Sequence, residues 1–140
     1  MRKKKILIVD DERDVVVYLT EVLESSHFDL YSADNAETGL KMVKKVHPDL
    51  ICLDIMMPGE SGLSMYTKLR RIEEFKNIPV IIISGVEQAG EFDFRKFVDD
   101  ERIPPPECYF EKPIDVASFV EGVEGLLSMK NNNKEKGRIS

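Results

Sequence analysis

Apolar residues follow two different periods along this chain. Five short runs are apolar at nearly every position: Lys5 to Val9, Phe28 to Ser32, Leu50 to Asp54, Pro79 to Ser84 and Cys108 to Phe110. Runs of this length predict β-strands. Apolar residues on consecutive positions, as in Ile6 to Val9 and Val80 to Ile83, predict strands covered on both faces. Between the runs the period becomes helical. Val16, Leu19 and Leu23 share one helical face, as do Ala36, Leu40 and Val43, and then Tyr66, Leu69 and Ile72. The clearest stripe is Val116, Phe119, Val120, Val123 and Leu127, with Asp115 placed to cap its amino end by accepting backbone N–H bonds. Glu87 to Asp100 predicts a further helix with Phe94, Phe97 and Val98 on its core face, although Gly85 and Gly90 blur its start. Ile103-Pro104-Pro105-Pro106 then forces an extended connection.

This alternation predicts an α/β fold, a doubly wound parallel sheet of five strands with helices on both faces. Right-handed crossovers put every strand's carboxyl end on one edge, where open sheets of this kind bind ligands near the point at which strand order reverses. The residues at those ends are Asp10 and Asp11 after the first strand, Asp54 ending the third, Ser84 ending the fourth and Lys112 just after the fifth. The second strand contributes none. In a flavodoxin-like order 2-1-3-4-5 the second strand is the outer edge, so the four contributing ends are adjacent and converge on one pocket.

Three carboxylates in one pocket repel one another, so the arrangement calls for a cation or for retained protons. Mg²⁺ suits it: the ion takes oxygen ligands, keeps several waters and needs only one or two protein carboxylates plus phosphate oxygens. Lys112 adds a compact positive charge and Ser84 a hydroxyl donor, both suited to phosphoryl oxygens. A carboxylate nucleophile, a divalent metal, a lysine and a hydroxyl are together what phosphoryl transfer to Asp needs.

Composition narrows the picture further. A length of 140 residues suits one domain, expected over 1–129, with the polar stretch 130–140 as a frayed tail or the start of a linker. A formal net charge of −6 argues against direct nucleic-acid contact, which rests on neutralising phosphates. The basic start, Arg2 to Lys5, precedes only four apolar residues before Asp10, so it reads as a solvated gatekeeper and neither a signal peptide nor a membrane span is expected. Cys52 and Cys108, each in an apolar run and without a C-x-x-C partner, read as reduced and buried, which fits a cytoplasmic protein. His27 and His47 read as ordinary surface or helix-end residues.

Ile-Leu-Ile-Val-Asp10-Asp11-Glu12, Leu53-Asp54 followed by Met56-Met57-Pro58-Gly59, Ile83-Ser84-Gly85 and Lys112-Pro113 resemble the receiver domains of two-component response regulators, of the chemotaxis-regulator type, over residues 4 to 128. The resemblance implies that Asp54 is the phosphoacceptor, that Asp11 and Asp54 bind Mg²⁺ directly with the carbonyl of Met56, and that Asp10 holds a metal-bound water. It implies that Ser84 and Lys112 contact the phosphoryl group, that the Lys112-Pro113 peptide is cis, and that Tyr109 is the switch aromatic. The implied partners are a histidine kinase or phosphotransfer protein as donor and an output domain or protein as target. A homodimer formed on phosphorylation is also compatible with the family. In the implied mechanism, Ser84 moves toward the acyl phosphate, Tyr109 enters the vacated space, and the surface around the fourth helix, fifth strand and fifth helix is remodelled.

Each signal alone has a plainer reading. An Asp-Asp pair after a strand can simply cap the next helix, and Ser84 or Lys112-Pro113 can be turn residues; the ordered set on four adjacent strand ends carries the weight. Competing classes are a receiver-like interaction module that works without phosphorylation, and a hydrolase with an aspartyl-phosphate intermediate. The second would want a carboxylate two residues after the nucleophile, where Met56 stands. A flavin-binding relative would want a Ser/Thr-Gly-rich phosphate loop in place of Asp10-Asp11-Glu12. The connection between Gly85 and Cys108 is longer than usual for receivers, and Gly85 replaces a more usual Ala. Met56 and Val86, two residues past Asp54 and Ser84, are apolar and unsuited to orienting an attacking water. A long-lived phosphoryl form is therefore expected: replacing both by polar residues should speed its hydrolysis, and an unchanged decay followed by intact mass would refute this.

Overall fold

The computed structural model describes residues 3–24, 28–55, 57, 61–85, 95 and 98–139, with only the backbone of Ser84 and of 129–139. Five strands, β1 (Lys5–Val9), β2 (Asp29–Ala33), β3 (Leu50–Asp54), β4 (Val80–Ser84) and β5 (Cys108–Glu111), form one sheet in the order β2-β1-β3-β4-β5. Every pairing is parallel. Four helices lie among the described residues: α1 (Arg13–Glu24), α2 (Ala36–Val46), α3 (Gly62–Arg71) and α4 (Val116–Ile139). The expected flavodoxin-like architecture is what the chain adopts.

Strand alternation divides the interior into two cores. Leu7, Val9, Ile51, Leu53, Val80 and Ile82 point to the face covered by α2 and α3, where Val43, Met65, Tyr66 and Leu69 meet them. Ile6, Ile8, Leu50, Cys52, Ile81 and Ile83 point to the other face, against Leu19 and Leu23 of α1 and Phe119, Val123 and Leu127 of α4. Both faces of β1, β3 and β4 are therefore dry. This is why those runs carry no polar alternation.

Short polar residues set the helix starts. Asn35 Oδ1 accepts the Thr38 N–H at 2.8 Å, Ser61 Oγ the Ser64 N–H at 3.2 Å, and Asp115 Oδ2 the Ser118 N–H at 3.0 Å, the last as expected. The capping bonds to Ser118 draw the Asp115 carboxyl below its usual pKa. His47 ends α2 in the left-handed region at φ 55, its N–H donating to the Val43 carbonyl, so it is the helix-end histidine expected; His27 lies outside the described residues. Lys5 does more than guard the strand. Its Nζ donates to the Val46 carbonyl at 3.1 Å, and its backbone N–H to Asp49 Oδ2 at 2.8 Å.

Several expectations need correction. Val116 is 39% exposed at the first position of α4, directly after the edge strand β5 and its Lys-Pro turn. Cys108 is only half-buried for the same edge position, while Cys52 is fully buried and burial pushes its thiol far up in pKa. Helix α4 runs on into the polar stretch, to Ile139. Of the helix expected over Glu87–Asp100, Phe94 and Phe97 lie outside the described residues, whereas Val98 is buried as anticipated. The prolines do follow in a non-helical connection. No helix among the described residues is long and apolar enough to cross a membrane.

One buried charge organises the sheet's amino edge. The Arg70 side chain, 2% exposed, donates from Nη1 to the carbonyls of Lys76 at 3.0 Å and Ile78 at 2.7 Å, and from Nε to the Tyr66 hydroxyl at 3.1 Å. Its Nη2 meets both oxygens of Glu107 at 3.2 Å. Glu107 Oε2 also accepts the Val80 N–H at 2.7 Å, and the Tyr66 hydroxyl donates to the Pro104 carbonyl at 2.6 Å. One guanidinium thus ties α3, the α3–β4 loop, β4 and the proline connection together. Arg70→Ala strands two carbonyls and a carboxylate, and should cost about 2–3 kcal/mol, read as a lower urea midpoint with an unchanged m-value.

Candidate phosphoacceptor site

The strand ends meet as the topology requires. β1 ends at Val9 and β3 at Asp54, side by side, and Asp54 pairs across to Ile83 of β4, which leads through Ser84 to its neighbour Glu111 on β5. Lys112 follows directly, joined to Pro113 by a cis peptide bond, as the resemblance implied. The close approach of α3 to Asp54 depends on Gly62. A Cβ there would overlap the Asp54 carbonyl oxygen and come within 2.9 Å of Ile55 Cα.

Asp10 and Asp54 are each 1% exposed. Asp10 divides its two oxygens between two tasks. Oδ1 accepts the Glu12 N–H at 2.9 Å, closing the turn before α1, while Oδ2 lies 3.1 Å from Lys112 Nζ. Lys112 Nζ also lies 3.6 Å from Asp54 Oδ2 and 2.7 Å from Glu12 Oε1. Burial alone would lower the Lys112 pKa, but the Glu12 hydrogen bond and the charges of Asp10 and Asp54 outweigh it and leave the pKa raised. The ammonium is therefore charged throughout the neutral range. The stability it contributes is fully present below the ordinary lysine pKa and is lost only as pH rises through the elevated folded value.

Oxygens of Asp10, Glu12 and Asp54 lie within 4.8 Å of one another. Three carboxylates against one ammonium leave a local deficit of positive charge. Asp10 Oδ2 is buried, and the ammonium it faces is shared with two other carboxylates. An all-oxygen donor set with surplus negative charge fits a hard divalent cation.

The remaining expected residues are distributed as follows. Asp11 is exposed and is not one of the three; with Asp10, Arg13, Val16, Ser32, Asp34 and other residues it lines an adjoining cavity between the ends of β1 and β2. Ser84 ends β4 as expected, but its side chain lies outside the described residues, as do Met56 and Val86. Tyr109 stands on β5, 42% exposed. A Cβ at Gly85 would meet nothing within 4 Å, so the space there does not require glycine. Glu12 was not assigned a role from the sequence, although it follows directly on the Asp-Asp pair and its backbone carbonyl accepts the Val15 and Val16 amides of α1.

Residues 6–124 match the model of the response regulator receiver domain, and the chain belongs to that family. It is 32% identical over 132 residues to the sporulation initiation phosphotransferase F of Bacillus subtilis, covering 94% of this chain and all of that relative. It is 31% identical over 126 residues to the polar-differentiation response regulator DivK of Brucella ovis, covering 89% and 96% of the two chains. Among solved structures, a response regulator receiver protein from Pseudomonas putida superposes with a TM-score of 0.73 at 25% identity, covering 89% of this chain and 98% of that one. NtrX from Brucella abortus gives a TM-score of 0.82 at 22% identity; it covers 99% of this chain, which spans 30% of NtrX.

Gly62→Ala must push α3 off the end of β3, at a cost of about 1–3 kcal/mol from overpacking, read as a lower urea midpoint; an unchanged midpoint would show that the helix and the strand end do not need this close approach.

Proposed function

We propose that this chain accepts a phosphoryl group on Asp54 from the phosphohistidine of a histidine kinase or phosphotransfer protein and passes the signal on by a change of shape. The observation that carries this reading is the placement of Lys112 Nζ 3.6 Å from Asp54 Oδ2, in a group of carboxylates of which Asp10 and Asp54 are buried and Glu12 is exposed. A neutral or apolar strand end could not balance the charge of an incoming phosphoryl group, whereas this one supplies both a nucleophile and a counter-charge.

In the transfer, a carboxylate oxygen of Asp54 forms a bond to phosphorus in line with the breaking P–N bond. The electron pair of that bond leaves with the donor imidazole, which takes a proton from water, and the product is an acyl phosphate on Asp54. Lys112 meets the phosphoryl oxygens as a point charge, and Ser84 offers them its hydroxyl. Asp10, Asp11 and Asp54, with the Met56 carbonyl, would hold Mg²⁺. When bound, Mg²⁺ neutralises charge on the transferring oxygens and so lowers the barrier to positioning the donor. The acyl phosphate brings about −1.5 to −2 units of charge into the pocket, and the response we assign to it is movement of Ser84 toward the new group and inward rotation of Tyr109. The surface that Tyr109 leaves, beside α4, is where an output domain or protein would sense the difference.

This reading is tested by intact mass after incubation with acetyl phosphate and Mg²⁺. The wild type should gain one phosphoryl group, and neither Asp54→Asn nor a sample treated with EDTA should gain any. An unmodified wild type under every condition would instead favour an interaction module that works without phosphorylation.

A further inference from the structure

An ammonium has three hydrogens to donate, and Lys112 faces three carboxylates: Glu12 at 2.7 Å, Asp10 at 3.1 Å and Asp54 at 3.6 Å. A phosphoryl oxygen approaching Lys112 competes with these partners, and first with Glu12, whose contact is the short hydrogen bond among them. The three differ in what their departure costs. The Asp10 and Asp54 side chains are 0% and 1% exposed and sit at the ends of central strands, so neither can turn to water without disrupting the sheet edge. Glu12 is 59% exposed, lies in the turn before α1, and has an extra methylene of reach; water resolvates its carboxylate as soon as it swings out. Yet it makes the shortest of the three contacts.

Resting on the phosphoacceptor reading above, we propose that Glu12 is a positioning residue that occupies Lys112 in the phosphoryl-free form and cedes it to the phosphoryl oxygens. Glu12 acts as an internal stand-in for the incoming anion. It keeps the lysine aimed at the pocket and, because it must be displaced, it sets how readily the pocket accepts a phosphoryl group.

The contact can be separated from the charge. Glu12→Ala removes both, whereas Glu12→Asp keeps the charge and withdraws the carboxylate by one methylene, out of reach of Lys112. Two readouts are compared in wild type and both variants: the rate of Asp54 modification by acetyl phosphate with Mg²⁺, and the affinity for beryllofluoride, a phosphoryl mimic that binds without any transfer step, measured by calorimetry. Both variants should be modified faster and should bind beryllofluoride more tightly, by about twofold to fivefold, the range of an ion pair with one exposed member. An Asp variant that behaves like wild type while the Ala variant gains would reduce the effect to bulk charge and overturn the proposal. So would weaker beryllofluoride binding in both, which would make Glu12 a supporter of the bound ion, or no change in either. In each of these cases the wild type is still modified at Asp54. A wild type that is never modified overturns the phosphoacceptor reading itself, and this proposal with it.

Discussion

Two carboxylates that are almost fully buried at the end of a dry sheet need a cation beside them, and Lys112 is the cation that the fold delivers. Everything else in the structure serves that meeting. Asp10 leaves β1, Asp54 ends β3 and Lys112 leaves β5, so the three are brought together only if β4 is seated between β3 and β5 in a single register. The two apolar cores make that register hard to slip, since a one-residue shift would turn every side chain of a central strand to the opposite face.

Support for Asp54 comes from both ends of the sheet. At the carboxyl edge, Gly62 lets the first turn of α3 lie against the backbone of Asp54 itself, so its position is coupled to the packing of Met65, Tyr66 and Leu69 beneath. At the amino edge, the guanidinium of Arg70 joins the same helix to the start of β4 and, through Glu107, to the start of β5. Helix α3 is thus held at its first turn by shape and at its last by charge. The strand it covers is the one that ends in Asp54.

The strands, their order and the residues at their carboxyl ends were legible because each rests on a short-range pattern plus a topological rule: apolar runs for buried strands, one hand for crossovers, one edge for ligands. What the sequence hid depends on contacts between distant positions. Lys112 and Glu12 are 100 residues apart, and nothing local distinguishes a glutamate that reaches a lysine from one that faces water. Arg70 left a faint trace, a charged residue four positions after Tyr66 on the apolar face of α3, where a solvated arginine would not be expected. Val116 and Cys108 were over-assigned to the core for the opposite reason: periodicity reports which face a residue is on, not whether an edge strand leaves that face uncovered.

The proline connection shows what the arginine clip means for the history of such a chain. Val98 and Ile103 are seated in the α2–α3 core, and Glu107 is held by Arg70 and by the amide of Val80, so the peptide is fastened to the body just before it enters β5. Lengthening a surface segment costs little closure entropy when its ends are already fixed. Upstream of those fastenings, residues can be inserted, lost or exchanged while β5 and Lys112 stay in register. The clip therefore acts as a firewall for divergence: drift in the sequence between β4 and these fastenings is kept from reaching the carboxylates and the lysine at the opposite edge.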